Sequence, residues 1–238
     1  MSAAEQLDGQ RVPDVSWDTF MDYWRKTWRQ GEHVSYIGPT GSGKTTLAVE
    51  LLGVRRHVVA LATKPRDSTM DRLIRDGYRK IKTWPPPRVG GSRVVLWPPF
   101  RDDSDLPNQQ AVMASALRGA FTEQSWTIFA DELWYLGTEL RLDHLLRIIW
   151  TQGRSLDVTL VGGTQRPAHV PLLAYDQATH LFFFRDNDET NLRRISGLGG
   201  LNSALIRRTV AALPRHVALY VNTRTGQLVT TRAPKPKG

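Results

Sequence analysis

The sequence predicts an α/β fold with a mostly parallel central sheet covered by helices on both faces, and three observations predict it. Short apolar runs alternate along the chain with segments of helical periodicity. The runs are apolar throughout rather than at every second residue, as strands buried on both faces of a parallel sheet are. A glycine-rich stretch, IGPTGSGKTTLAVE at 37–50, joins the first such run to a following helical segment.

In chain order, residues 1–15 are polar and read as a loose segment, after which Ser16 or Asp18 caps a helix running to about residue 29. Strand-like runs follow at 33–38, 57–62, 93–97, 127–130, 158–163, 180–184 and 217–221. Helical segments lie between them at 45–52, 68–76, 108–122, 140–151, 187–195 and 202–212. The fourth shows the period plainly: Leu142, Leu145, Leu146 and Ile149 stand at i, i+3, i+4, i+7, with Arg141, Asp143 and Arg147 around them. The stretch 83–108 holds WPPP, GG, WPP and DDSD around one short strand and reads as a surface insertion. Residues 16–231 are expected to form one domain, and the chain ends at 232–238 in RAPKPKG, too polar and proline-rich to pack.

Composition narrows the function classes. A chain of 238 residues is long enough to bury a sizeable core, and no repeat at a period of 20–50 residues is visible. It has no cysteine, which removes disulfides and thiolate metal sites and fits an intracellular compartment. No stretch approaches the roughly 20 apolar residues of a membrane span, so a soluble protein without membrane insertion is expected. Thirty-two Lys and Arg against 23 Asp and Glu give a formal charge of +9, which suits a polyanionic partner such as nucleic acid or, equally, a solvated basic surface. The six histidines are scattered and read as structural.

The glycine-rich stretch fits G-x-x-x-x-G-K-[ST] as Gly38, Pro39, Thr40, Gly41, Ser42, Gly43, Lys44 and Thr45, with Thr46 next in the helix. Glycines let the main chain wrap so that its N–H groups face phosphate oxygens, and the helix N-terminus adds its positive end. Lys44 is then expected on the β- and γ-phosphates of ATP and Thr45 on Mg²⁺, the signature of a P-loop nucleotide site.

A second element is TIFADELWYL, in which a strand runs into Asp131 and Glu132. Carboxylates at that strand end emerge beside the phosphates, Asp131 suiting Mg²⁺ and Glu132 an attacking water; the alternative is a helix cap. A water-directed glutamate favours hydrolysis over transfer to a metabolite. The third element is GRSLDVTLVGGTQRPAHVP at 153–171, whose strand ends in Thr164 and Gln165. Gln165 is placed to sense the γ-phosphate or the lytic water, unless it only satisfies loop backbone groups.

In order, GPTGSGKTT, FADE and GRSLDVTLVGGTQRP resemble the FtsK/HerA family of P-loop ATPases, which spans DNA translocases, viral genome-packaging ATPases and conjugative coupling proteins. The resemblance covers about residues 32–200, and TQRP is its most distinctive piece. It implies a RecA-like fold of the additional-strand catalytic-glutamate type, ATP and Mg²⁺ as cofactors, and a homo-oligomeric ring, a hexamer in that family, that moves double-stranded DNA without reading its sequence. By matching motif, Lys44 and Thr45 become the phosphate and Mg²⁺ residues, Asp131 and Glu132 the acidic pair and Gln165 the sensor. Arg154, eleven residues before Gln165, becomes the finger that reaches a neighbouring subunit's ATP; otherwise it is a helix-end arginine neutralising carbonyls near Gly153.

With no accessory or lid domain expected, the chain resembles small viral packaging ATPases more than chromosome translocases, and the resemblance implies a viral portal, capsid vertex or membrane assembly protein as partner and a place in host cytoplasm or virion. A filamentous-phage-type assembly ATPase acting on protein, or a slow nucleotide-dependent switch, is the alternative. In ALATKPRD the acidic residue waits until Asp67, and Lys64 and Arg66 face phosphate or DNA or are solvated. Candidate DNA contacts are YWRKTWRQ, RLIRDGYRK and YRKIKTW, although Trp24 and Trp28, at i and i+4, suit core packing better.

Overall fold

A computed structural model describes residues 11–86, 93–165, 173–197 and 202–234. The outer parts of the expected N-terminal segment (1–10) and basic tail (235–238), and the TQRP continuation at 166–172, lie outside the described residues.

Nine strands form one sheet. They are β1 (His33–Ile37), β2 (Val58–Leu61), β3 (Arg79–Ile81), β4 (Arg93–Leu96), β5 (Thr127–Ala130), β6 (Thr159–Thr164), β7 (Ala178–Phe184), β8 (Ala218–Asn222) and β9 (Leu228–Thr231). Their spatial order is β3-β4-β2-β5-β6-β1-β7-β8-β9. Every pairing from β3 across to β7 is parallel, and β7–β8 and β8–β9 are antiparallel. The mostly parallel sheet predicted from the continuous apolar runs is therefore present. The strand inside the expected insertion, β4, is not peripheral: it lies between β2 and β3, in register from Val58↔Arg93 to Leu61↔Leu96.

Helices cover both faces. One face carries α1 (Trp17–Thr27), α2 (Lys44–Leu52) and α3 (Ser68–Arg75), which bury Phe20, Trp24, Leu47, Leu51, Met70 and Leu73 against Val34, Tyr36, Val58 and Ala60. The other face carries α4 (Leu106–Glu123), α5 (Asp143–Gln152), α7 (Glu189–Ser196) and α8 (Ser203–Ala212), packed on Ile37, Val59, Leu61 and Ile128; a short α6 (Leu173–Asp176) precedes β7. Alternate residues of each strand feed opposite cores, which is why the strand sequences are apolar at every position.

Local signals set the helix ends. Ser16 caps α1, its hydroxyl accepting from the Thr19 N–H, and Asp67 caps α3 through the N–H groups of Thr69 and Met70. α5 begins three residues later than its periodicity alone suggests, because a π-type turn at Tyr135–Glu139 and Arg141 at φ +50° intervene. Among the described residues no helix is long and apolar enough to cross a membrane.

Candidate active site

The parallel order brings the C-terminal ends of β1, β5 and β6 side by side, which is where a doubly wound sheet holds its ligand. The turn after β1 contains residues 38–43 and passes directly into α2, whose N-cap, Gly43, has φ +102°, a backbone state that a side chain would strain. Lys44 opens α2, and its Nζ donates to the Pro39 carbonyl at 2.9 Å, so the side chain arches over the turn. Burial lowers its pKa, partly opposed by the charges of Asp131 and Glu132. Thr46 is half-buried one position beyond Thr45 in the same first turn.

Asp131, just beyond β5, is held by two side chains. The Thr45 hydroxyl lies 3.1 Å from each carboxylate oxygen, and the Tyr36 hydroxyl donates to Oδ1 at 3.0 Å. Burial pushes the Asp131 pKa up; the Tyr36 and Thr45 bonds and the Lys44 charge pull it down without cancelling the rise. Tyr36 was not among the residues expected in the site. Its signal was present, since a tyrosine inside an aliphatic strand must find a partner for its hydroxyl, but the partner stands 95 residues away. Gly163 makes room for it: a Cβ there would sit 2.2 Å from the Tyr36 ring and 2.7 Å from the Asp131 carbonyl.

These oxygens fit Mg²⁺. A hydroxyl and a carboxylate in contact beside a phosphate-cradling turn are the hard donors that the ion takes from a protein when phosphates supply the rest. Among the described residues no cluster of three or more His, Cys, Asp or Glu could hold a metal without such help.

Glu132 is placed one residue further out and is engaged by Lys64 Nζ at 2.6 Å. Lys64, about half exposed, thus has a carboxylate partner, and its charge is also felt by Lys44 of the P-loop. Gln165 closes the site from β6: its Oε1 accepts from the Thr40 hydroxyl at 2.7 Å, bridging the strand end to the P-loop. A cavity of about 380 Å³ opens between Asp131, Glu132, Trp134, Tyr135 and Gln165. A second, of about 490 Å³, flanks the P-loop between Thr40, Ser42, Arg185, Arg215 and His216, where His216 Nδ1 contacts the Ser42 carbonyl at 3.2 Å.

Arg154 is not brought into this group. It is exposed in the 3₁₀ turn Gly153–Leu156, which precedes β6, and its main chain packs on Gly31, which precedes β1. Strand rise puts it roughly 20 Å from the P-loop end of the sheet. Of the aromatic residues in the expected DNA segments, Trp24 and Trp28 are in the core with ring centroids 4.5 Å apart, Tyr78 is buried, and Tyr23 and Trp84 are partly buried against the two cores. Arg25 and Lys26 remain on the surface.

No protein-family model matches the sequence, and no curated protein matches it. Solved structures do. The genome-packaging NTPase of Sulfolobus turreted icosahedral virus 2 with AMPPCP superposes with a TM-score of 0.63 at 17% identity, over 86% of this chain and 98% of that one. VirB4 of Thermoanaerobacter pseudethanolicus gives 0.63 at 13% identity, over 85% and 89%. The cytoplasmic domain of the Type VII secretion ATPase EccC of Thermomonospora curvata gives 0.58 at 19% identity, over 88% of this chain and 26% of that one. With its P-loop, acidic strand end and glutamine-bearing neighbour in this order, the chain shares the fold of these solved NTPase and VirB4 structures.

Proposed function

We propose that the chain is a Mg²⁺-dependent ATPase that assembles as a homo-oligomeric ring and moves double-stranded DNA, in genome packaging or mobile-element transfer. The observation that carries the reading is the contact of Thr45 with Asp131 at the P-loop, with Glu132 next in sequence. In this reading the 38–43 main chain and Lys44 hold the triphosphate, and Thr45 and Asp131 hold Mg²⁺, which neutralises phosphate charge. Glu132 orients the attacking water and takes its proton as the bond between the β,γ-bridging oxygen and the γ-phosphorus breaks. Gln165, tied to Thr40, reports the state of the γ-phosphate to β6. Arg154 stands at the wrong end of the sheet for its own nucleotide and serves a neighbour's, as a head-to-tail ring requires.

The +9 charge supports a polyanionic cargo, and the similarity to a genome-packaging NTPase supports DNA. A motor acting on protein is supported by the similarity to a secretion ATPase. Steady-state ATPase activity with and without duplex DNA, at low and moderate salt, beside a mass measurement of the oligomer, decides between them. DNA stimulation that fades with salt, in a ring, is the expected result. A monomer indifferent to DNA overturns the motor reading, and Glu132→Gln is expected to bind ATP without turning it over.

A further inference from the structure

Two of the segments expected to contact DNA, 23–30 and 72–80, meet at one end of the molecule with a third that carries no such signal, 54–57. They run into β1, β3 and β2, so their meeting point is the N-terminal end of the parallel strands, opposite the P-loop. Arg93, the first residue of β4, joins them there.

A cavity of about 360 Å³ opens at this end between Val54, Arg55, Arg56, Gly77 and Arg93. Three of these are arginines, and no carboxylate lines the cavity among the described residues. Arg55 is only 9% exposed. Its guanidinium lies 3.6 Å over the Trp28 ring, and its Nη2 donates to the Arg29 carbonyl at 2.8 Å, while its Nε is buried without a partner. Arg93 Nη2 donates to the Gly53 and Arg55 carbonyls at 3.0 and 2.7 Å, just past the end of α2, and its guanidinium is 5.9 Å from the Tyr78 ring. Trp28 and Tyr78, although core residues, thus flank the cations of the cavity.

Burial brings the Arg55 pKa down to about 10, with the charge of Glu32 pulling it back up. Glu32 is itself committed: Oε2 bonds His180 and Oε1 accepts from Arg224. A buried guanidinium whose nearest carboxylate is engaged elsewhere gains from an anion that arrives from outside. The charge also continues beyond the cavity. Arg29, Arg56 and Arg75 are exposed, and none forms an ion pair among the described residues. Asp76, the carboxylate beside them, lies 3.6 Å from Arg72. β4 separates β2 from β3, which puts the connections bearing Arg56 and Arg75 roughly 10 Å apart. That spacing suits separate phosphates of one polyanion rather than a single small anion.

We propose that this end of the sheet docks the backbone of duplex DNA, with Arg55 and Arg93 seating one phosphate and Arg29, Arg56 and Arg75 holding its neighbours. The proposal rests on the reading of duplex DNA as the cargo, and it places the contact at the far end of the sheet from ATP. Guanidinium forks on phosphates give strength and register without reading bases.

The test is fluorescence anisotropy of the full chain with a labelled duplex of mixed sequence, from about 50 to about 200 mM salt. The variants are Arg29→Gln, Arg56→Gln and Arg75→Gln, singly and together, with Arg118→Gln on the exposed side of α4 as the control. These four side chains bond nothing among the described residues, so each variant should fold. Each of the first three should make the slope of log K against log salt shallower by about 0.9. The parent's advantage over the triple variant should then shrink roughly 40-fold across that salt range. ATP turnover without DNA should match the parent. A parent that fails to bind the duplex at low salt overturns the DNA reading, and this surface with it. A parent that binds while the triple variant keeps the parental slope overturns the surface alone. An equal change of slope in Arg118→Gln overturns it as well, by showing a diffuse effect of net charge.

Discussion

Acid should loosen the strand pair that carries the site, and one histidine sets the scale. His33 opens β1, is 2% exposed, and accepts the Leu160 N–H of β6 on Nδ1 at 3.0 Å. Burial drives its pKa from 6.5 down to about 4, against weaker upward pulls from the carbonyls of Trp150 and Ile149. The unfolded chain binds the proton near pH 6.5 and the folded chain does not until about pH 4. The His33 contribution is therefore intact above pH 6.5 and is lost as pH falls toward 4. At about 1.4 kcal/mol per pKa unit, the loss reaches about 2 kcal/mol at pH 5 and about 3 kcal/mol at pH 4. His180, also lowered by burial, acts in the same direction, so the effect must be isolated by difference. Urea unfolding at pH 7.5 and pH 5.0 should show the parent losing about 2 kcal/mol more than His33→Asn, which keeps an acceptor near Leu160 without titrating. Parallel losses in parent and variant would refute the assignment.

Three further outcomes follow from the same strands. Tyr36→Phe removes one of the two hydroxyls on the buried Asp131 carboxylate, and thermal or urea unfolding should show a loss of about 1.5–3 kcal/mol, the range for a hydrogen bond to a charged group. Gly163→Ala forces a methyl against the Tyr36 ring and the Asp131 carbonyl; about 1–3 kcal/mol of stability should go by the same assay, with a rise in the Mg²⁺ concentration needed for half-maximal activity. Subunits carrying Arg154→Ala mixed with subunits carrying Lys44→Ala should recover ATPase activity at shared interfaces. Mixtures shown by mass to contain both subunits yet inactive would return Arg154 to a structural role.

What the sequence made legible was local. The seven expected strands and the helices from 45 to 212 appear within a few residues of their predicted ends, because each carries its own apolar pattern, and Asp67, Asp188 and Asn202 cap three of the helices. Two strands escaped. β3 is three residues, Arg79–Ile81, paired on one side only, and β9, Leu228–Thr231, is the opposite edge and only half apolar. An edge strand needs one ladder and one buried face, so it can be short and polar, as β3 shows with Lys80 laid over the Trp97 ring at 3.8 Å. β4 was visible as a strand but not as an interior one, because prolines and glycines on either side speak of its loops and say nothing of its neighbours.

The site divides along the same line. Gly38 to Thr45, Asp131, Glu132 and Gln165 are residue types that phosphate and water chemistry demand, and spacing from a strand end is enough to single them out as candidates. Tyr36 and Lys64 are marked only by what they touch, Asp131 and Glu132, across 95 residues in one case and from a neighbouring strand in the other. Those two contacts differ in kind. Tyr36 is fully buried and its hydroxyl donates to the half-buried Asp131, so it fixes the carboxylate. Lys64 is half-exposed and its ion pair with Glu132 is open to water, so it holds that carboxylate only weakly.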